Sequence, residues 1–158
     1  MKKVLIIYHS QSGNTEAMAK AISEGASAAG ATVILKRAVD ANAEDILDCD
    51  IVAIGTPSYF GYMAGLVKDF FDRAWITIRD KMGNKPYMTF GSKGGGGAQA
   101  LDSVERICDG LRMDKAFNSI LITREPTEEN LADCRESGKK LALLKTIETP
   151  QDIEEPRL

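Results

Sequence analysis

The feature that most restricts how this 158-residue chain can fold is its alternation of short apolar runs with helix-patterned segments. Residues 4–8, 32–35, 51–54, 86–90 and 119–123 are rich in aliphatic and β-branched side chains and read as strands. Residues 14–29, 65–75 and 98–111 read as helices, and residues 43–47 as a helical turn. Met18 and Ile22 share a face in the first helix, Leu66, Phe70 and Ala74 in the second, and Leu101, Val104, Ile107 and Leu111 in the third. Gly30 is placed to close the first helix in a left-handed conformation. A last helix starts behind Thr127, an N-cap residue followed by Glu128 and Glu129, where the helix dipole favours negative charge. Strands that are apolar on both faces, each followed by a helix, predict an α/β fold with a parallel sheet covered on both sides.

The pattern is continuous, without repeats or an internal linker. It gives one domain over residues 1–146 and a polar tail over 147–158 that contains Pro150 and Pro156. A formal charge of −3 offers no basic patch for nucleic acid. Cys49, Cys108 and Cys134 are odd in number and widely spaced, which argues against a disulfide framework or a zinc site and for packed thiols. The apolar run at residues 4–8 is too short for a signal peptide, and no stretch approaches the ~20 apolar residues of a membrane span. A cytoplasmic protein with no membrane or metal partner is expected.

In a doubly wound sheet the ligand lies beyond the carboxyl ends of the strands, where the strand order reverses. For the order 2-1-3-4-5, the unusual residues should follow strands one, three and four. After the first comes Ser10-Gln11-Ser12-Gly13-Asn14-Thr15, hydroxyls and amides feeding a helix N-terminus, which suits a phosphate held by neutral donors. It lacks the Gly-Lys-Ser/Thr ending of a Walker loop and the G-x-G-x-x-G of a dinucleotide site. After the third comes Thr56-Pro57-Ser58-Tyr59-Phe60-Gly61-Tyr62, with three aromatics within four residues, suited to a flat conjugated ring. Tyr62 reads as packing. After the fourth comes Gly91-Ser92-Lys93-Gly94-Gly95-Gly96-Gly97, whose glycines let the backbone lie against a ligand's edge. A receiver domain shares this architecture, but the places of its acidic residues hold Gly55 and His9-Ser10.

The first loop resembles the (T/S)-x-(T/S)-G-x-T loop with which flavodoxins hold the FMN phosphate. The 2-1-3-4-5 order with FMN at its switch point is the arrangement of flavodoxin itself, so that placement is carried over from the resemblance. The run from Thr56 to Gly61, continuing through Met63, Gly65 and Phe70-Phe71-Asp72, is similar to the flavin loop of WrbA-type NAD(P)H:quinone oxidoreductases and NADPH-dependent FMN reductases. The resemblance implies a flavodoxin-like three-layer sandwich. It implies FMN contacts from Ser10, Gln11, Ser12, Gly13, Asn14 and Thr15, from Thr56, Pro57, Ser58, Tyr59, Phe60 and Gly61, and from Gly91, Ser92, Lys93, Gly94 and Gly95. Two departures stand out. Residues 36–50 are too few for the insertion with which WrbA-type proteins build tetramers, so a tetramer is not expected and a homodimer stays open. The histidine those proteins place near the flavin is absent, since the matching region reads Arg106-Ile107-Cys108-Asp109-Gly110 and the one histidine is His9, read as structural. Residues 119–123 run straight on to Glu125-Pro126, which excludes the long-chain flavodoxin insert.

Two functional classes follow from the resemblance. One is an enzyme that passes electrons from NAD(P)H through FMN to a quinone or similar acceptor. The other is a flavodoxin-type carrier between a reductase and a redox protein. In both the chemistry is the flavin's, and no side chain is assigned a catalytic role. Residues 55–65 carry no charge and residues 91–97 only Lys93. Without the like-charge repulsion of an acidic rim, reduced anionic flavin is better stabilised, and a second midpoint potential less negative than a flavodoxin's is expected.

Overall fold

The computed structural model describes residues 1–145. The expected tail at 147–158 lies outside the described residues, and so does the last residue of the expected domain. The elements in chain order are β1 (Lys3–Tyr8), α1 (Asn14–Ala28), β2 (Thr32–Arg37), a 3-10 turn (Ala38–Asp40), α2 (Ala43–Asp48), β3 (Ile51–Pro57), α3 (Gly65–Ile78), β4 (Pro86–Lys93), α4 (Gln99–Gly110), β5 (Asp114–Lys115), β6 (Ile120–Thr123) and α5 (Glu128–Leu143). The sheet runs β2-β1-β3-β4-β5, all pairings parallel, with β6 also on β4. This is the predicted 2-1-3-4-5 order.

Burial explains why the strands look apolar throughout. Every residue of β3 is buried, and Val4, Leu5, Ile6 and Ile7 of β1 are fully so. Side chains alternate between two cores. Leu5, Ile7, Val52 and Ile54 pack with Val67, Phe70, Ala74, Ile78, Val104 and Cys108 beneath α3 and α4. Val4, Ile6 and Ala53 pack with Met18, Ile22, Cys134 and Leu141 beneath α1 and α5. The three cysteines are free and buried, as expected of packed thiols.

The helix ends follow local chemistry. Gly30 sits at φ 96, and the Ala31 N–H reaches the Ala26 carbonyl, so α1 closes in a left-handed C-terminal motif. Thr127 caps α5 in a reciprocal box with Asn130, and Asn42 and Asp45 build the same device on α2. Helices α1 and α5 touch backbone to backbone. A Cβ on Gly25 would run into the Arg135 carbonyl, and one on Gly138 into the Ile22 carbonyl.

Several boundaries differ from the sequence expectation: β2 runs to Arg37 rather than residue 35, α3 to Ile78 rather than residue 75, and the larger differences lie in β3, β4 and the sheet edge. Strands β3 and β4 run on past Ile54 and Phe90, so Gly55, Thr56, Pro57, Gly91, Ser92 and Lys93 are strand residues. Glycine reads as a strand end, but here it serves close approach inside the sheet. Gly55 faces the Phe90 ring and Gly91 the Thr56 carbonyl, each with no room for a Cβ. The fifth edge position, expected as one strand over 119–123, is shared by two short strands. Between them residues 116–119 leave the ladder, and the Glu105 carboxylate of α4 takes hydrogen bonds from the hydroxyls of Ser119 (2.7 Å) and Thr89 (3.0 Å) and pairs with Lys115 (3.0 Å).

Candidate functional site

Three loops meet at the carboxyl end of the sheet, beside the point between β1 and β3 where the strand order reverses. The first joins β1 to α1. Gly13 stands at φ 92, which a side chain would strain, and its N–H donates to the Ser10 hydroxyl at 3.1 Å. Helix α1 has no side-chain N-cap, and its first internal bond is Ala17 N–H to the Gly13 carbonyl. The N–H groups of Asn14, Thr15 and Glu16 therefore point out of the helix end toward the loop. Gln11 and Ser12 are exposed. The Glu16 carboxylate, a charge that would oppose an anion at this helix end, is turned away toward Lys20, Tyr8 and Arg37. The Lys20 and Tyr8 hydrogen bonds hold its pKa below the ordinary value.

The second loop follows β3 and is pinned at both ends. Ser58 N–H donates to the Ser92 carbonyl at 2.9 Å. The Ala64 N–H donates to the Thr56 hydroxyl at 2.9 Å, and the Met63 N–H to the Ser103 hydroxyl of α4 at 3.1 Å. Between the pins Tyr59 and Tyr62 exchange two backbone bonds. Phe60 and Gly61 form the tip of that turn at φ 56 and φ 69, a pair of positive values that marks a type I′ turn. Phe60 is fully exposed, Tyr59 is half-buried with its ring edge-on to His9 at 6.1 Å, and Tyr62 is 43% exposed. Tyr62, read from the sequence as packing, is thus partly open to solvent. Burial raises the Tyr59 pKa, and the neighbouring Gln11 backbone opposes that rise.

The third loop follows β4. A Cβ on Gly94 or Gly95 would meet no neighbour, and Gly96 stands at φ 77. Lys93 Nζ donates to the Gly96 carbonyl at 2.7 Å and the Gly97 N–H to Gln99 Oε1 at 3.0 Å. Among the described residues, none accepts from the N–H of Gly94 or Gly95. Lys93 is therefore a brace of its own loop. Arg124, at φ 63, donates its N–H to the Lys93 carbonyl at 2.7 Å and adds an exposed cation beside it.

The predicted site residues thus divide into two groups. Thr15, Thr56, Gly91 and Ser92 form a buried floor, with the hydroxyls of Thr15 and Ser92 bonded at 2.9 Å. Ser10, Gln11, Ser12, Gly13, Asn14, Ser58, Tyr59, Phe60, Gly61, Gly94 and Gly95 stand around it. Pro57 ends β3, and Lys93 spans the glycine loop. Sequence reasoning missed Gln99, Ser103 and Arg124. The first two carry a faint signal, since they are polar residues four apart on a helix whose apolar stripe is otherwise regular. A separate groove of about 550 Å³ lies at the opposite end of the sheet, lined by Trp75, Arg79, Asp80, Gly83, Gly110, Leu111 and Arg112. It is formed by the C-terminal ends of α3 and α4, where the dipoles are negative and the arginines complement them.

These features define a doubly wound α/β protein with three loops gathered at its topological switch point, the place where folds of this kind bind their ligands. The flavodoxin family model matches residues 6–138, and the chain belongs to that family. It is 30% identical to a flavodoxin of Aquifex aeolicus, over 90% of this chain and 86% of that one. It is 29% identical to an NAD(P)H dehydrogenase (quinone) of Rhodopseudomonas palustris, over 90% of this chain and 96% of the relative. That alignment spans 191 positions, more than this chain's 158 residues, so the relative carries segments absent here. Other NAD(P)H dehydrogenase (quinone) relatives are matched over only 54% or 47% of their own length. Among solved structures, two-electron reduced Megasphaera elsdenii flavodoxin superposes with a TM-score of 0.75 at 28% identity, covering 88% of this chain and 98% of that one.

Flavodoxins bind FMN, and this chain is an FMN-binding redox protein of that family. Its residues fit the cofactor. A helix N-terminus with unpaired N–H groups and neighbouring hydroxyls suits a phosphate. The free N–H groups of Gly94 and Gly95 suit the polar edge of a ring, and the Tyr59–Tyr62 turn offers it a wall. Among the described residues no helix is long and apolar enough to cross a membrane, and no cluster of metal ligands is present.

Proposed function

We propose that the chain is an oxidoreductase that takes electrons from NAD(P)H onto FMN and passes them to a quinone or similar acceptor. The observation that carries this reading is the charge at the site's edge. The three loops present no carboxylate, Glu16 is turned aside into ion pairs, and Lys93 and Arg124 stand at the β4–β6 corner. Such a rim accepts a polyanionic nucleotide and stabilises negative charge on a reduced ring.

FMN, when bound, supplies the hydride and electron chemistry at its ring. The chain's part is to bind and orient it. Ser10, Gln11, Ser12, Gly13, Asn14 and Thr15 would hold the phosphate by N–H and hydroxyl donors. The backbone of Gly94 and Gly95 would hold the ring's polar edge, with Ser92 and Thr56 fixing the loops that carry these groups. Ser58, Tyr59, Phe60 and Gly61 would line the ring and shield it from water. Lys93 and Arg124 would oppose the charge gained on reduction.

The test is stopped-flow reduction of the FMN-loaded protein by NADH and by NADPH, followed by turnover with a benzoquinone. Bleaching of the flavin by either nucleotide within the mixing experiment, and steady quinone reduction, support the enzyme. If neither nucleotide bleaches it, the second reading stands: a carrier between a reductase and a redox protein. That reading is favoured by the near full-length match to a flavodoxin and by the segments this chain lacks relative to the quinone dehydrogenase.

A further inference from the structure

We propose that Ser103, with Gln99 one turn before it, is a positioning residue that sets the aromatic loop from behind and couples it to the glycine loop. Neither residue belongs to a loop of the site. Both lie on α4, whose N-terminal half runs behind the loops after β3 and β4. Ser103 is 7% exposed, and its hydroxyl makes two bonds. It donates to the Ala100 carbonyl at 2.6 Å and accepts from the Met63 N–H at 3.1 Å. The first bond alone satisfies a helical serine. The second spans 40 residues of sequence and fixes the point where the loop returns to the core. Without it the Met63 N–H is left unpaired in a residue that is 2% exposed.

Gln99 is bonded to one loop and stands beside the other. Its Oε1 accepts from the Gly97 N–H at 3.0 Å, and a Cβ at Gly61 would lie 3.9 Å from the Gln99 Cβ. Helix α4 therefore passes beside the tip of one loop, leaving room for a methyl group, and ties the end of the other. With Ser58 N–H held by the Ser92 carbonyl and Ala64 N–H by Thr56, the Ser103 bond leaves only the Phe60–Gly61 tip without a fixed anchor. The aromatic wall is thus built rigid at its base and free at its tip. This rests on the reading that the loops hold FMN.

The experiment compares Ser103→Ala, Ser103→Thr and Cys108→Ala with the wild-type chain. Cys108 is fully buried on the same helix, away from both loops, so its truncation loosens α4 without touching either. Two quantities are read: hydrogen exchange of the Met63 amide in the FMN-free protein, and the dissociation constant for FMN. Ser103→Ala should speed Met63 exchange and weaken FMN binding on the order of tenfold, because the unpinned loop then holds the binding geometry only about a tenth of the time. Ser103→Thr, which keeps the hydroxyl, should restore both. Cys108→Ala should change the FMN constant by less than about twofold even where its melting temperature falls as far. Fast exchange with unchanged FMN affinity in Ser103→Ala, or equal weakening by Cys108→Ala, overturns the proposal while leaving the site assignment intact. Failure of the wild-type chain to bind FMN overturns the site assignment itself, and the proposal with it.

Discussion

The hydroxyls of Thr15 and Ser92, 77 residues apart, meet at 2.9 Å in the buried floor of the site. Thr15 is in the first turn of α1 and Ser92 near the end of β4, so this one bond fixes the phosphate-type loop against the glycine loop. Thr15→Val leaves the Ser92 hydroxyl buried and unpaired, and should destabilise the chain by about 1–3 kcal/mol. Ser92→Ala should do the same to Thr15. The double variant should fall short of the sum by about 1 kcal/mol or more, because the second change removes the group the first one stranded. Denaturant unfolding of the four proteins checks this.

The contact between α1 and α5 gives a sharper stability test. Gly138→Ala and Gly25→Ala each push a methyl group into a backbone carbonyl of the facing helix, at Ile22 and Arg135. Carbonyls of packed helices cannot rotate away, so each variant should lose about 1–3 kcal/mol, the range of an overpacked core. Gly83→Ala, where a Cβ meets nothing, should cost under about 1 kcal/mol.

Glu105 predicts an acid-side loss. Burial pushes its carboxyl up, but hydrogen bonds from Ser119, Lys115 and Thr89 outweigh that and hold its pKa below the ordinary 4.5. A carboxylate depressed in the folded state adds stability above the unfolded pKa, and that stability disappears as pH falls through the folded value. Wild-type stability should therefore drop on acidification below about pH 4.5 more steeply than that of Glu105→Gln. A series of urea midpoints across that range measures it.

His9 runs the other way in its cause but not in its direction. Burial and then the nearby Arg37 lower its pKa from the ordinary 6.5. The unfolded chain takes up this proton before the folded one does, so stability falls as pH drops below about 6.5. An NMR titration of the imidazole should give a midpoint below 6.5, and Arg37→Gln should raise it. A midpoint at or above 6.5 in the wild type contradicts the placement of His9 against Tyr59.

Much of this was legible in the sequence for a physical reason. A strand buried on both faces has to be apolar throughout, and helices that cover it have to show an apolar stripe, so β1, β3, β4, α1 and α4 announce themselves. The three loops stand out in the sequence because hydroxyls, aromatics and glycines are concentrated in them at strand ends. What the sequence hid was tertiary. Gly55 and Gly91 look like strand ends because the reason for them, the Phe90 ring and the Thr56 carbonyl, lies on a neighbouring strand. The division of the edge strand depends on Glu105 arriving from α4. Ser103 looks like an ordinary helical serine until Met63 is folded onto it.

The most direct test of the account is an NMR titration of the FMN-free protein with FMN, followed amide by amide. The amides of Ser12, Asn14, Thr15, Tyr59, Gly61, Gly94 and Gly95 should shift together and saturate at one equivalent. Those of Trp75, Gly83, Gly110 and Arg112, at the opposite end, should stay in place. Saturable shifts centred on the second group, or none on the first, would contradict the assignment of the three loops as the cofactor site.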